Sequence, residues 1–136
     1  MAWVTQFRIS EAASLLGVSD DTVRRWIDSG HLTADRAQGP AVIDGAELAV
    51  FARDHAQTPP DPSGVGRSAR NQFVGLVTAI TADKVMAQVE IQCGPHRVVS
   101  LMSSEAVTDL GLEVGSLAVA VVKATTVIVE TPKGRS

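Results

Sequence analysis

Residues 55–67 read HAQTPPDPSGVGR, and no other stretch limits so strongly what this chain can fold into. Pro59, Pro60 and Pro62 fix φ and withdraw backbone donors, Gly64 and Gly66 loosen the backbone, and almost nothing in the stretch is apolar enough to bury. The segment predicts a linker. It divides the 136 residues into an N-terminal domain over 1–55, a linker over 56–66 and a C-terminal domain over 67–136. Domains of about 55 to 70 residues lie near the lower limit for a single hydrophobic core. A hydrophobic content of 45% supplies one for each half.

The periodicity of apolar residues differs on the two sides. Before the linker it is helical: Ala12, Ala13, Leu15 and Leu16 lie within Ser10 to Leu16, and Val23, Trp26 and Ile27 within Ser19 to Ile27. Two short helices meet at Gly17. Ser19 is an N-cap, and Val18 before it has the offset of a hydrophobic staple onto Val23. Asp44 with Glu47 predicts a cap for a third helix through Ala52, with Ile43 placed to meet Leu48. Between these helices, Leu32 to Ile43 is rich in turn and extended residues and predicts a small hairpin, or wing.

After the linker the period is two. Val85, Ala87, Val89, Ile91 and Cys93 alternate with Met86, Gln88, Glu90 and Gln92, the pattern of a half-buried strand. Gly94-Pro95 turns the chain into a second strand through Ser103. A helical turn follows from Ser104 to Leu110, and Gly111 stops it. Strands over Gln72 to Thr81, Leu117 to Lys123 and Thr126 to Thr131 bring the count to five, which fits a small OB-like barrel. The expected class is α+β in two domains: a small helical, winged helix-turn-helix, then a five-stranded OB-like β-barrel.

A net charge of −3 carries none of the basic excess of a general nucleic-acid binder, so DNA binding would have to come from local placement. Cys93 is the single cysteine, which excludes an internal disulfide. No basic start followed by a secretory apolar run opens the chain, and no apolar segment reaches the roughly 20 residues that cross a bilayer. A cytoplasmic protein with no membrane role is expected.

Ser68-Ala69-Arg70-Asn71 opens the second half, and Lys123-Ala124-Thr125-Thr126 comes near its end. One cation in each motif, flanked by hydroxyls and by backbone N–H groups beside small residues, is what a tetrahedral oxyanion needs. Sequence distance alone cannot show that the motifs meet. The SARN start, "LMSSEAVTDLGL" (Leu101 to Leu112) and "VVKATTVIVE" (Val121 to Glu130) resemble the Mop domain of molybdate-binding molbindins and molybdate-responsive regulators, across residues 67 to 131. The resemblance implies a molybdate or tungstate ligand, with Ser68, Ala69 and Arg70 on one side of the pocket. Lys123, Ala124 and Thr125 would form another side, and Ser103 would contribute from before the helical turn. It also implies a pocket between subunits and a homo-oligomer, a dimer or as large as a hexamer. The chain departs from the family at Ala106, where a hydroxyl is common, and it has threonines in the last loop where serines are common.

"FRISEAASLLGVSDDTVRRWIDSGHL" (Phe7 to Leu32) resembles the helix-turn-helix of the excisionase and MerR-like group, and "PAVIDGAELAVFARDH" fits that group's wing and third helix. The resemblance implies a DNA operator as partner. Ser19, Asp21, Thr22 and Arg25 of the second helix would then face base edges or phosphates, with Arg24 beside them, while Val23, Trp26 and Ile27 pack inward. Residues 1–56 hold five arginines against eight carboxylates, so phosphate neutralisation would be thin and strongly salt-dependent. A protein-interaction module is the competing reading of this half.

Cys93 and His96 are two ligands at most, too few for structural zinc. The alternation puts Cys93 on the buried face as a core residue, and neither His31 nor His55 sits in a relay with a nucleophile. No catalytic residue is expected. Joined, the halves read as a molybdate- or tungstate-responsive transcriptional regulator. The rival reading is a molybdate-storing protein whose N-terminal module serves interaction. An enzyme of molybdenum cofactor metabolism has no catalytic constellation behind it, and a preference for sulfate is separable by competition.

Overall fold

The structure is a computed structural model that describes residues 5–132. Two compact units divide the chain, the second running from Thr58 to Ile128.

In the first unit, strand β1 (Gln6–Arg8) pairs antiparallel with β2 (Val42–Asp44), Phe7 opposite Ile43. Helix α1 (Ile9–Leu16) follows β1 directly, and Glu11 Oε1 accepts the Arg8 N–H at 3.0 Å to fasten its first turn. At its end Gly17 adopts φ 69°, a left-handed conformation that glycine takes without a Cβ penalty. Helix α2 (Asp20–Asp28) opens on Ser19, whose Oγ accepts the Thr22 N–H at 3.2 Å. Helix α3 (Gly45–His55) opens on Asp44, whose carboxylate accepts the Glu47 N–H at 3.3 Å. The Glu47 side chain does not complete that cap; it accepts the Thr33 N–H at 2.7 Å and ties α3 to the turn after α2.

Both capping serine and aspartate, and the meeting of Ile43 with Leu48, are as the residues predict. Ala12, Ala13, Val23, Leu32, Ile43, Leu48 and Phe51 form the core, with Val18, Trp26 and Ile27 packed against it. The small Ala12 and Ala13 let α1 lie close to its neighbours. The expected wing is reduced to a single antiparallel bridge, in which Asp35 and Val42 exchange N–H···O bonds on the edge of β2 away from β1.

The second unit is a four-stranded antiparallel sheet and one helix. Strands β3 (Asn71–Ala82), β4 (Met86–Cys93), β5 (His96–Ser103) and β6 (Leu117–Val122) lie in the order β5-β4-β3-β6, and α4 (Ser104–Leu110) joins β5 to β6. The long β3 serves both sides: its first half pairs with β6, its second with β4, and the two overlap at Leu76. Gly75 sits at that change of partner. A Cβ there would fall on the Gln92 carbonyl oxygen and 2.8 Å from Cys93 Sγ, so the approach of β3 to β4 needs a glycine. Val77, Val89, Ile91 and Cys93 are the core, closed by Val98, Met102, Val107 and Leu112.

Two expectations need correction here. Val85 is 69% exposed; it precedes β4 in the turn built on Asp83 and so lies outside the alternation assigned to it. Thr126 to Thr131 is not a strand: Ala124–Thr126 forms a 3-10 turn, and Ile128 and Val129 stay 85% and 86% exposed. Apolar alternation alone does not make a strand, which exists only by pairing. The described residues of one chain give that segment no partner, so the sheet has four strands instead of five.

Candidate functional site

Antiparallel register brings the two cationic motifs together. Asn71 pairs with Val122, and the Asn71 side-chain amide donates to the Val122 carbonyl at 3.3 Å. Arg70 and Lys123 are the next residues of the two strands beyond that last pair, so the two motifs leave the same end of the ladder. Ser68 and Arg70 are exposed and Ala69 is half-buried, while Gln72 Nε2 donates to the Ala69 carbonyl at 3.4 Å and steadies the approach to β3.

On the facing side Lys123, Ala124 and Thr125 are exposed at the start of the 3-10 turn, which Thr126 closes by donating its N–H and its hydroxyl to the Lys123 carbonyl at 3.0 and 2.8 Å. The first amides of such a turn lie outside its own ladder. Among the described residues neither Arg70 nor Lys123 enters an ion pair. Two neighbouring cations without a carboxylate partner form a local positive field in a unit of otherwise mixed charge.

Ser103 lies elsewhere. It ends β5 opposite Met86, next to the far end of β3, and its Oγ accepts the Ala106 N–H at 3.0 Å as the cap of α4. Twelve residues of β3 separate that end from Arg70, about 35 Å along a strand of ordinary rise. Arg70 and Lys123 thus follow one end of the β3–β6 ladder, and Ser103 lies by the other end of β3. The Ala106 N–H, the surviving donor at the departure from the family pattern, is occupied by that same cap.

The segment before Ser68 holds a feature that the sequence reading passed over as linker. Asp61 Oδ1 accepts the Ser63 N–H at 2.8 Å and the Ser63 hydroxyl at 2.7 Å, and Asp61 Oδ2 pairs with Arg67 Nη2 at 3.3 Å. Arg67 Nη2 also donates to Ser63 Oγ. The Ser63 hydroxyl, then its N–H, then the Arg67 charge hold the Asp61 carboxyl below its ordinary range against a small opposing effect of burial. Only 15% of the Arg67 side chain is exposed, and its Nη1 is buried with no hydrogen-bond partner among the described residues. An unmet buried donor of this kind costs about 1–3 kcal/mol. The signal available in advance was Asp-Pro-Ser-Gly, a sequence that closes turns through its side chains.

On the first unit the five residues of interest lie along α2. Ser19 caps it, and its Oγ also meets Thr22 Oγ1 at 3.0 Å. Arg24 Nη1 pairs with Asp21 Oδ1 at 3.4 Å and Arg25 Nη2 donates to Thr22 Oγ1 at 3.0 Å, while Val23 is fully buried. Arg24, whose facing the sequence leaves open, points outward with 55% of its side chain exposed. Trp26, Phe51 and His55 stack behind the helix, with His31 edge-on to His55. No group of three or more His, Cys, Asp or Glu among the described residues can hold a metal ion. No helix among them is long and apolar enough to cross a membrane.

Residues 67–129 match the model of the TOBE domain, and residues 7–56 that of a helix-turn-helix domain. Over 63 residues the chain is 48% identical to a probable molybdenum-pterin-binding protein of Haemophilus influenzae, covering 46% of this chain and 91% of that one. The chain belongs to the TOBE-domain family. The molybdenum transport protein ModE of Herbaspirillum seropedicae is 38% identical over 65 residues; the alignment takes in 47% of this chain but only 24% of ModE. MopII from Clostridium pasteurianum, a solved structure, is 34% identical with a TM-score of 0.46, covering 48% of this chain and all of that one. The TOBE match begins at Arg67, so the Asp61 to Gly66 part of the clamp precedes it.

Proposed function

We propose that this protein is a molybdate- or tungstate-responsive DNA-binding transcriptional regulator. The observation that supports the proposal is the β3–β6 register, whose last pair, Asn71 with Val122, leaves Arg70 and Lys123 as the next residues of the two strands, in a chain that also carries a helix-turn-helix. Molybdate is a tetrahedral dianion. Two cations balance its charge, and converging N–H and O–H donors select it by cavity size instead of by metal coordination. The names of the molybdenum-pterin-binding relatives support that ligand class. The roles are Ser68, Ala69 and Arg70 on one wall and Lys123, Ala124 and Thr125 on the other.

Ser103 can join these residues only from a second copy, since its own chain holds it at the other end of β3. The reading therefore includes a homo-oligomer with sites between subunits. The apolar side chains left open on the second unit support assembly: Leu101, Leu110, Leu117 and Ile128 are each more than half exposed, and among the described residues the outer edges of β5 and β6 are unpaired. Anion binding then stabilises the assembly, and assembly sets how many DNA-binding heads reach an operator together. Titration calorimetry of the full chain with molybdate, tungstate and sulfate, run with light scattering, tests this. Saturable binding of molybdate or tungstate with sulfate excluded is expected. Binding of none of the three would end the proposal.

The second reading is a molybdate-storing protein whose N-terminal unit serves interaction. The eight carboxylates against five arginines in residues 1–56, and the engagement of Arg24 with Asp21, favour it. Tight anion binding with no retention of duplex DNA at low salt would select it.

A further inference from the structure

We infer that residues 127–129 become a strand on a second copy of this chain, adding antiparallel to the open edge of its β5, and that this exchange carries the Lys123–Thr125 turn of one copy to Ser103 of the other. The strand addition stands on the fold alone; its consequence for the anion rests on the reading of Ser68 to Arg70 and Lys123 to Thr125 as an oxyanion site.

An edge and a segment are each left without a partner. β5 ends the sheet order β5-β4-β3-β6, so among the described residues one row of its backbone N–H and C=O groups meets no strand, and Leu101 on it is 71% exposed. Val127, Ile128 and Val129 follow the 3-10 turn as a run of β-branched residues, extended at Val127 (φ −81°, ψ 124°), and Ile128 and Val129 are more exposed still than Leu101. β-branched side chains suit a pleated, half-covered surface, and an open edge offers main-chain hydrogen bonds to an incoming strand.

The same chain cannot bring this segment to Ser103. Residues 123–126 span at most about 14 Å, whereas β5 lies across β3 and β4 from β6, with Ser103 by the far end of β3. A second copy has no such limit. Antiparallel pairing sets the start of the incoming segment against the end of β5. With Ile128 opposite Leu101, the two bare side chains cover each other on one face, Val127 falls opposite Met102, which closes the core, and Thr126 falls opposite Ser103. Lys123 to Thr125 then lie just past Ser103. The Ser103 Oγ accepts the Ala106 N–H, which leaves its hydroxyl hydrogen to donate to an anion. Addition to β6, the other open edge, would leave Ser103 on the opposite side of the sheet.

The test is disulfide trapping in the full chain, where Cys93 is buried. Ile128→Cys with Leu101→Cys should give disulfide-linked dimers, and neither substitution alone should. A disulfide closed within one chain, or dimers from Ile128→Cys with Leu117→Cys in place of Leu101→Cys, would overturn the assignment to β5. A second variant, Ile128→Pro with Val129→Pro, removes two consecutive N–H groups, one of which any ladder must use. It should lower the mass read by light scattering, with circular dichroism unchanged, and unchanged mass would overturn the exchange. Its affinity for sodium molybdate should fall about ten-fold or more, the factor of one hydrogen bond to a charged group. Cross-linking without molybdate binding would keep the exchange and remove the anion site; binding without cross-linking would keep the site and remove the exchange.

Discussion

Arg70 and Lys123 are ordinary strand-end cations when taken singly; the register of β3 on β6, which ends on Asn71 and Val122 just before them, is what supports the proposal of a common task. Replacing either by alanine should reduce molybdate affinity by about a hundred-fold, the loss of a charged hydrogen-bond donor at a dianion, with the thermal melt unchanged. Calorimetry with circular dichroism checks both halves of that statement. Gly75 is demanding for a different reason, since any side chain there meets the Gln92 backbone. Gly75→Ala should destabilise the second unit by about 3 kcal/mol or more, read as a fall in melting temperature or denaturant midpoint. Cys93 packs in the same place and donates weakly to the Phe73 carbonyl at 3.6 Å. Burial pushes its thiol up, away from reactive thiolate character, as its place in the alternation predicts.

At the scale of elements, caps and turns carry much of the local order. Ser19→Ala removes the acceptor for the Thr22 N–H and should cost about 1 kcal/mol of first-unit stability by thermal melt. The turn between β3 and β4 is built on Asp83, whose carboxylate accepts N–H groups from Met86 at 2.8 Å and Val85 at 2.7 Å. Those bonds, Met86 first, hold the carboxyl below its ordinary value of 3.8. A depressed folded value stabilises above the unfolded value, and that stabilisation is lost as pH falls through the folded one. The second unit should therefore weaken as pH drops below about 4, and Asp83→Asn should flatten that acid limb in pH-dependent melts. Caps at Ser19 and Asp44 and the stop at Gly111 were legible because each depends on a few consecutive residues; the cap at Ser103, read from the sequence only as a pocket residue, emerged with the structure. The missing fifth strand and the reduced wing were not legible, because strands exist only by pairing with other segments: β2 pairs with Gln6–Arg8, which spacing within residues 32–43 does not announce, and residues 127–131 have no strand partner among the described residues.

For the molecule as a whole, the proposed DNA role falls to a head with five arginines against eight carboxylates in residues 1–56. With Arg24 and Arg25 as its exposed helix cations, a single head should show a log–log salt slope of only about −2, and oligomers that present several heads should show a multiple of it. Electrophoretic mobility shifts across a salt series, with and without molybdate, measure this. Arg25→Ala should lower DNA retention and leave the molybdate titration unchanged, since α2 and the Arg70–Lys123 site lie in separate units. The break between those units falls at Thr58, so part of the Pro/Gly stretch folds with the second unit, and the Asp61–Ser63–Arg67 clamp shows how.

The sequence by itself determined the two periodicities, the helix starts and stops, the buried alternation from Ala87 to Cys93 and the two cationic motifs. Each of these is written in residues close enough in the chain for spacing to express them. Only the tertiary structure decided that the motifs of Arg70 and Lys123 leave one end of the β3–β6 ladder, that Ser103 lies by the other end of β3, and that Arg67 is largely covered with Nη1 unmet among the described residues. Those facts depend on strand register and on which segments share a partner, and spacing along the chain carries neither.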